Sequence, residues 1–600
     1  MCGIFGVTSL ENKNEVLIEG IKKLEYRGYD SAGIAFSNKG KIEIIKTLGE
    51  IKVLEDALFK KKPVFSCGIA HTRWATHGKP SSVNAHPHYS NKKQFALIHN
   101  GIIENFKELE ETYLNGIELC SETDSEVIVQ LIEKLFDGSV INTFKKVCSL
   151  IKGSYAFCLI YEKEPNTIYV SRRDSPLTLA SVNNSSFVAS DVSAIINYTS
   201  QQYLLENNEY AILTPTKIVF YDSSLNEKIY KPIYINETTK ETEIGNFLHF
   251  MRKEIYDIKE AVFNTLNNYP TINSIFKTIP KELVKKTSYV KIIACGTAYH
   301  AGLIAKKIIE TWAPQLDVDV LIASEFRYSS PQLKRNTLCI FISQSGETAD
   351  TLASLKLCKE LGAKTLAVTN VLNSSITYLA DYNLYTMAGR EVAVASTKAY
   401  NSQLSLLYLL GTIFVKKNKK KHFIEAQIQI KNLFKDEQLI KNFEEQIIVL
   451  AEKYKSVKSI YLIGRQLDYD TAREASLKLK EITYIHCEAY PAGELKHGTL
   501  SLIEEGTLVI CFLTQHYIAD KTLNGLFEVK SRGAKVLLIT NQENVDKKTY
   551  DELIYLPYKS DFYLPLISII PIQLLSYHIS MQKGINPDKP RNLAKAVTVE

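Results

Sequence analysis

Residues 361–370 read LGAKTLAVTN and residues 532–541 read RGAKVLLITN, two short apolar runs of the same make, each opened by Gly-Ala-Lys and closed by Thr-Asn. A second pair lies upstream: residues 290–296 (VKIIACG) correspond to residues 458–464 (KSIYLIG). Gly464 follows Gly296 by 168 positions and Asn541 follows Asn370 by 171, and two nearly equal offsets mark a duplicated unit. In each copy, short apolar strands alternate with longer helical patterns, as in βα units on a parallel sheet. The run Lys416–Lys421 falls between the copies and reads as a solvated linker.

The copies differ where a ligand would sit. In the first, the strand-like run TLCIFI (337–342) leads into Ser343, Gln344, Ser345, Gly346, Glu347 and Thr348, and then a helical pattern. Hydroxyls, a glycine and the free N–H groups of a helix N-terminus make a phosphate cradle at the carboxyl end of a parallel strand. Ordinary Ser/Thr capping is the alternative. The second copy has Thr514, Gln515, His516, Tyr517, Ile518 and Ala519 there, so one copy is expected to bind phosphate and the other not.

On the helix after Gly464, Glu474, Lys478 and Glu481 are spaced i, i+4, i+7 and share one face. Spacing alone suits a solvated ion-pair row. The helix nevertheless starts at the carboxyl edge of its strand, where ligands bind in such sheets. Glu488, Glu494, Lys496 and His497 follow, and carboxylate, ammonium and imidazole are the groups that sugar ring opening and proton shuttling require.

The first 240 residues are patterned differently. Strand-like runs at 2–7, 31–36, 95–98, 154–160 and 167–171, with helical patterns at 15–25 and 125–136, predict an α+β domain with antiparallel sheet. Polar loops are expected at 24–30 (LEYRGYD), 71–78 (HTRWATHG), 99–101 (HNG) and 121–124 (SETD). Asn100-Gly101 suits a hairpin turn, and Ser121 with Asp124 suits a capping box. If these loops converge on Cys2, their chemistry is complementary. Once Met1 is removed, a free α-amine of pKa about 7.8 stands beside a thiol of about 8.5 and can take its proton. The alternative for Cys2 is a small apolar residue opening a buried strand. Asn100 and the Gly101 N–H could stabilise an oxyanion, while Arg73 and Asp124 could hold the carboxylate and ammonium of an amino acid.

Composition sets the outer limits. A chain of 600 residues, 45% hydrophobic and 23% charged, suits three or four globular domains. A net charge of +6 is too slight and too dispersed for an extended nucleic-acid surface. The ten cysteines include no CxxC pair, which suggests a reducing, cytoplasmic setting without structural metal or disulfides. No secretory signal pattern is expected at the start, and residues 562–572, broken by Pro565 and Pro571, read as a buried helix or turn rather than a membrane span.

Met1–Gly6, LEYRGYDSAG, HTRWATHG, HPH (86–88), HNGIIEN and SETD together resemble the glutaminase domain of N-terminal-nucleophile amidotransferases, and within them the glutamine:fructose-6-phosphate aminotransferase (isomerising) family. The later half resembles tandem sugar-isomerase (SIS) domains of that family. The resemblance implies an αββα glutaminase domain over residues 2–240, α/β SIS domains with parallel sheets over 270–420 and 440–590, and a catalytic tail over 591–600. It implies Cys2 as nucleophile and base, Asn100 and Gly101 as oxyanion hole, Arg73, Thr76, His77 and Asp124 as glutamine holders, and Trp74 on a closing loop that gates ammonia. It further implies Ser343, Gln344, Ser345 and Thr348 on the sugar phosphate, with Thr297, Val394 and Ser396 lining the pocket. Glu481 would move the proton between C1 and C2, assisted by Lys478 and Glu474; His497 would open the ring across a dimer interface; Lys595 would form a Schiff base. Glutamine and fructose 6-phosphate are the implied partners, without metal or organic cofactor, nucleic acid or membrane. Ala298, Pro491 and Thr499 depart from the family pattern, and the first is expected to weaken sugar-phosphate binding modestly. Other glutamine-dependent transferases, or a sugar-phosphate-binding regulator, remain alternatives, although no ATP-pyrophosphatase loop is present.

Overall fold

The computed structural model describes residues 2–61, 63–75, 77–235 and 244–598. The chain divides into two compact units, Met1–Lys240 with Ala594–Glu600, and Glu241–Leu593.

In the first unit the described residues form one sheet of eight strands and one of seven, with antiparallel ladders between named strands. At the middle of the larger sheet β1 (Gly3–Ser9) lies between Ser185–Ala189 and Cys67–Arg73, the second of which pairs in turn with β2 (Ser31–Asn38). We label Cys67–Arg73 β3. In the smaller sheet β4 (Phe95–Ile103) precedes helix α1 (Asp124–Leu135) in the chain and pairs with β5 (Gly153–Tyr161).

Period-2 alternation assigns the layers. Ile4, Ile69, Ala96 and Ile98 point into a core shared by the two sheets. Their neighbours Phe5, Val7 and Ala70 face Leu17, Ile21 and Leu54 of the helices over the first sheet. Phe95 and Leu97 face Ile128, Leu131 and Val147 of those over the second. Helix, sheet, sheet, helix is the expected αββα stack.

Two expected loops are strand instead. His71, Thr72 and Arg73 end β3, and His99–Gly101 lie inside β4, with Asn100 opposite Ala156 and Gly101 opposite Tyr155. Gly101 adopts φ +135°, and a Cβ there would overlap the Ser154 carbonyl oxygen, so the glycine serves close strand approach rather than a turn. The helix cap also sits elsewhere: Thr123, not Ser121, accepts the Glu126 N–H of α1 at 3.3 Å, while the Glu126 carboxylate accepts the N–H groups of Cys120 and Ser121.

The second unit contains two five-stranded parallel sheets of identical order. In the first, Asp317–Ile322, β6 (Tyr289–Ala294), β7 (Thr337–Ser343), β8 (Lys364–Thr369) and Tyr382–Tyr385 lie side by side. In the second the row is His486–Pro491, β9 (Ser459–Gly464), β10 (Leu508–Leu513), β11 (Lys535–Thr540) and Glu552–Tyr555. The repeated asparagines do the same work. The Asn370 amide donates to the Gly389 carbonyl at 2.8 Å and the Asn541 amide to the Tyr558 carbonyl at 3.1 Å, each tying the end of its fourth strand to the chain beyond the last one.

Helix α2 (Gly296–Trp312) follows β6, α3 (Ala349–Glu360) follows β7, α4 (Lys398–Gly411) precedes the second repeat, α5 (Leu467–Thr483) follows β9, and α6 (Ile570–Gln582) closes the unit. Ile340 and Ile342 of β7 and Ile510 and Phe512 of β10 all enter one core with α2, α4, α5 and α6. Both faces of these strands are covered, so they read as unbroken apolar runs. The segment 562–572 is buried and mostly helical, as its pattern predicts. The lysine run is solvated as expected, with Lys416, Lys417, Lys420 and Lys421 exposed, and Lys419 opens a helix, Lys419–Leu433, which with Leu439–Tyr454 joins the repeats and buries Phe423, Ala426 and Ile430. Among the described residues no helix is long and apolar enough to cross a membrane.

Candidate functional site

Cys2 stands just before β1. Its carbonyl accepts the Asn100 amide at 2.9 Å and the Arg27 Nε–H at 3.2 Å, and its sulfur accepts the Trp74 N–H at 3.3 Å. The next N–H, that of Gly3, donates to the Thr72 hydroxyl. Burial pushes the Cys2 thiol up, while the Trp74 N–H and the nearby Arg73 and Arg27 guanidinium groups oppose that rise.

Arg73, 3% exposed at the end of β3, donates through Nη2 to the carbonyls of His77 and Gly78. Its Nη1 is buried with no hydrogen-bond partner among the described residues. A buried charged donor left idle is costly, and a substrate carboxylate would satisfy it. Asp124 is the first residue of α1; its carboxylate accepts the Ile103 N–H at 2.9 Å and the Ser125 hydroxyl at 3.3 Å. Trp74 is half-buried and the next N–H, that of Ala75, is held by Asp30. His77 is also half-buried, its ring edge-on to Phe106 and its Nδ1 without a hydrogen-bond partner among the described residues. Thr76 lies outside the described residues.

Behind Asn100 lies a group that the motif reading quoted but did not use. His71, His86, His88 and His99 are all buried; His71 and His86 stack at 4.2 Å and His88 meets His86 edge-on at 4.8 Å. Burial holds all four below the usual imidazole range, His71 at about 3, so they are neutral. The signal was the spacing H71…HPH…H99, which places His71 on a strand of the eight-stranded sheet, His88 and His99 on paired strands of the seven-stranded sheet, and His86 on the segment between.

In the second unit, Ala294 pairs with Ile342, so Thr297 and Ser343 leave the sheet at the same carboxyl edge. The Ser343 hydroxyl accepts the Gly346 N–H at 3.0 Å and lies 3.0 Å from the Thr348 hydroxyl; the Ser345 hydroxyl accepts the Glu347 N–H. Gly346 has φ +69° and packs against Ser374, where any Cβ would overlap the Ser374 side chain. Thr348 is the N-cap residue of α3, and Gln344, Ser345 and Thr348 are half-buried. Val394 donates its N–H to the Asp588 carbonyl, and Ser396 is half-buried two residues on.

The charged row on α5 is not solvated. Glu474 and Lys478 are 0% exposed, because α2 covers them. Thr297 donates to Glu474 at 3.1 Å and accepts from Lys478 at 3.1 Å, His300 Nδ1 lies 2.8 Å from the other Glu474 oxygen, and Lys478 Nζ is 2.6 Å from Glu481. Burial alone would lower the Lys478 ammonium, but Glu481 and Glu474 outweigh it and hold it charged. Glu481, its side chain 20% exposed, is the member of the row open to a ligand.

His497 is exposed on the short turn Glu494–His497, with no hydrogen bond to the Glu474 row among the described residues. Lys595 is half-buried in Ala594–Glu600, a segment that groups with Met1–Lys240. Ala298, in the first turn of α2, is buried and packs in the apolar core. In the second repeat Thr514 is spent on Asp468, donating its hydroxyl at 2.5 Å and its N–H at 2.8 Å, and His516 is spent on Asp561.

Comparisons with known proteins bear on both units. The glutamine amidotransferase domain model matches residues 71–197, and the SIS domain model matches twice, at 283–413 and 453–582. The chain is 44% identical over its whole length, and the whole length of the relative, to glutamine--fructose-6-phosphate aminotransferase [isomerizing] of Clostridium acetobutylicum. It belongs to that family. The Thermotoga maritima aminotransferase is 39% identical, again over both full chains. A solved C-terminal domain of glucosamine-fructose-6-phosphate aminotransferase from Francisella tularensis is 37% identical with a TM-score of 0.54, covering 58% of this chain and all of that one. Tagatose-6-phosphate ketose/aldose isomerase from Escherichia coli, at 17% identity and a TM-score of 0.50, covers 58% of this chain and 96% of its own and shares the fold alone. Within the aminotransferase family the paired SIS models coincide with the two parallel sheets, and the amidotransferase model with the unit that holds Cys2.

Proposed function

We propose that the chain carries out glutamine-dependent conversion of fructose 6-phosphate to glucosamine 6-phosphate through two separate catalytic groups, as the first step of amino-sugar synthesis. The observation that carries the first group is Cys2, tied through its carbonyl to Asn100 and through its sulfur to the Trp74 N–H, beside the idle Nη1 of Arg73.

With Met1 removed, the Cys2 amine takes the thiol proton and the sulfur attacks the side-chain amide of glutamine. The oxyanion draws on the second amide hydrogen of Asn100 and the Gly101 N–H. Ammonia leaves, and water resolves the thioester to glutamate. Arg73 binds the substrate carboxylate; Asp124, with Thr76 and His77, holds the remainder; Trp74 closes over the site. Ammonia would be protonated in bulk water, so it must reach the sugar shielded from solvent.

At the second group, Ser343, Gln344, Ser345 and Thr348 hold the phosphate, with Val394, Ser396 and Thr297 at the pocket wall. Glu481 moves the proton between C1 and C2: it alone in its row is open, and Lys478 pins it. Glu474, locked by Thr297, His300 and Lys478, anchors that lysine. His497, contributed from a second copy in a homodimer, opens the ring, and the Lys595 amine condenses with the ketose carbonyl, losing water. A cytoplasmic setting fits free thiols and these substrates.

Cys2→Ala tests the reading. Amino-sugar formation from glutamine should vanish while fructose 6-phosphate isomerisation survives; loss of both, or of neither, would refute two separate groups.

A further inference from the structure

Helices α2 and α5 pack so that the first turn of each faces the middle of the other. Thr297 on α2 meets Glu474 and Lys478 of α5. The reciprocal meeting, between the start of α5 and the middle of α2, encloses a cavity of about 300 Å³ lined by Lys306, Lys307, Arg465, Gln466, Tyr469 and Asp470 among others. It lies where β9 ends between His486–Pro491 and β10, the place in such a sheet where strand order reverses and ligands settle. It is the internal-symmetry mate of the sugar-phosphate pocket.

Two buried polar groups are left open there. Asp470 is 5% exposed, and its Oδ2 has no hydrogen-bond partner among the described residues. The Arg465 Nε–H is buried and likewise without a partner. Gly493 makes room for that guanidinium: a Cβ at Gly493 would come within 2.9 Å of both terminal nitrogens. Lys306 is committed to Glu310, whereas Lys307 and Arg465 have no ion-pair partner among the described residues. Burial raises the Asp470 carboxyl to about 6, and the Lys307 and Arg473 cations nearby oppose that rise.

We propose that this cavity binds a second phosphorylated sugar, its phosphate on Arg465 and Lys307 and a hydroxyl donating to Asp470. The second repeat has then exchanged a hydroxyl cradle for a cationic one. A charge-assisted hydrogen bond contributes roughly 1.5–3 kcal/mol, enough for about a tenfold or greater change in affinity on its loss.

The test is equilibrium dialysis of the full chain against labelled glucosamine 6-phosphate, with inorganic phosphate as competitor. The wild type should bind two molecules per chain. The double variant Lys307→Met, Arg465→Gln should bind one and keep its synthase rate, which also shows that it is folded. Ser345→Ala, Thr348→Val should lose the other molecule; this arm rests on the proposed reading of the first repeat, and its failure alone would overturn that reading and leave the cavity assigned. One molecule per wild-type chain, or a binding curve unmoved by the Lys307/Arg465 pair, overturns the proposal.

Discussion

The Nε2 of His71 lies 3.0 Å from the Oδ1 of Asn100 and 2.9 Å from the carbonyl oxygen of His99. Both partners accept, so Nε2 carries the proton and donates to each. The Asn100 amide is thereby turned with its NH₂ toward the Cys2 carbonyl, the orientation that an oxyanion hole requires.

His71 is accordingly a positioning residue. His71→Leu should lower kcat for glutamine hydrolysis by about fivefold to thirtyfold, the worth of roughly 1–2 kcal/mol. The KM for glutamine and the sugar isomerisation should stay near their starting values. His71→Gln, which can still donate, should recover part of the loss; a leucine variant with full glutaminase activity would remove the role.

The four neutral histidines predict acid sensitivity. His71 falls from 6.5 to about 3 in the folded state, so below pH 6.5 the unfolded chain gains a proton that the folded chain refuses. Stability is full above pH 6.5 and declines as pH falls toward 3, with His86, His88 and His99 shifted the same way. Calorimetry from pH 7.5 down to 5 should show the glutaminase transition dropping first, and His86→Gln should flatten its slope.

Gly101→Ala forces a Cβ into the Ser154 carbonyl at φ +135°. Strain of about 1–3 kcal/mol is expected, with glutamine hydrolysis lost and isomerisation spared. A thermal midpoint equal to wild type would show that β4 and β5 tolerate the side chain.

Removing Lys478 and neutralising Glu481 should separate fold from chemistry. Lys478→Met leaves Glu474 buried without its ammonium and should cost about 3–5 kcal/mol of stability. Glu481→Gln keeps the lysine's neighbour in place and should retain the melting temperature while abolishing isomerisation. Equal destabilisation by both would contradict the separation.

The duplicated parallel sheets were legible because each strand is buried on both faces, which writes a repeated apolar run into the sequence. The αββα stack and the roles of its loops came through the resemblance, with the layers confirmed by alternation in β1 and β4. The HNG turn was misread because Gly-after-Asn is the commonest hairpin signal, whereas here the glycine relieves a clash with a strand 53 residues later. Spacing on α5 alone suited a solvated row, since nothing local announces that α2 will cover it. The four histidines escaped because their meaning lies in stacking across strands, and the open cavity beside Arg465 because it depends on which groups remain unpartnered.

The asparagine clasps formed by Asn370 and Asn541 survived duplication while the loops beside them diverged, so scaffold and chemistry are separable by design. Grafting SQSGET onto positions 514–519 should leave the second sheet's framework standing, although Asp468 and Asp561 would need new partners. Such a graft offers a direct measure of how far the loop, apart from the sheet that carries it, decides what the second repeat holds.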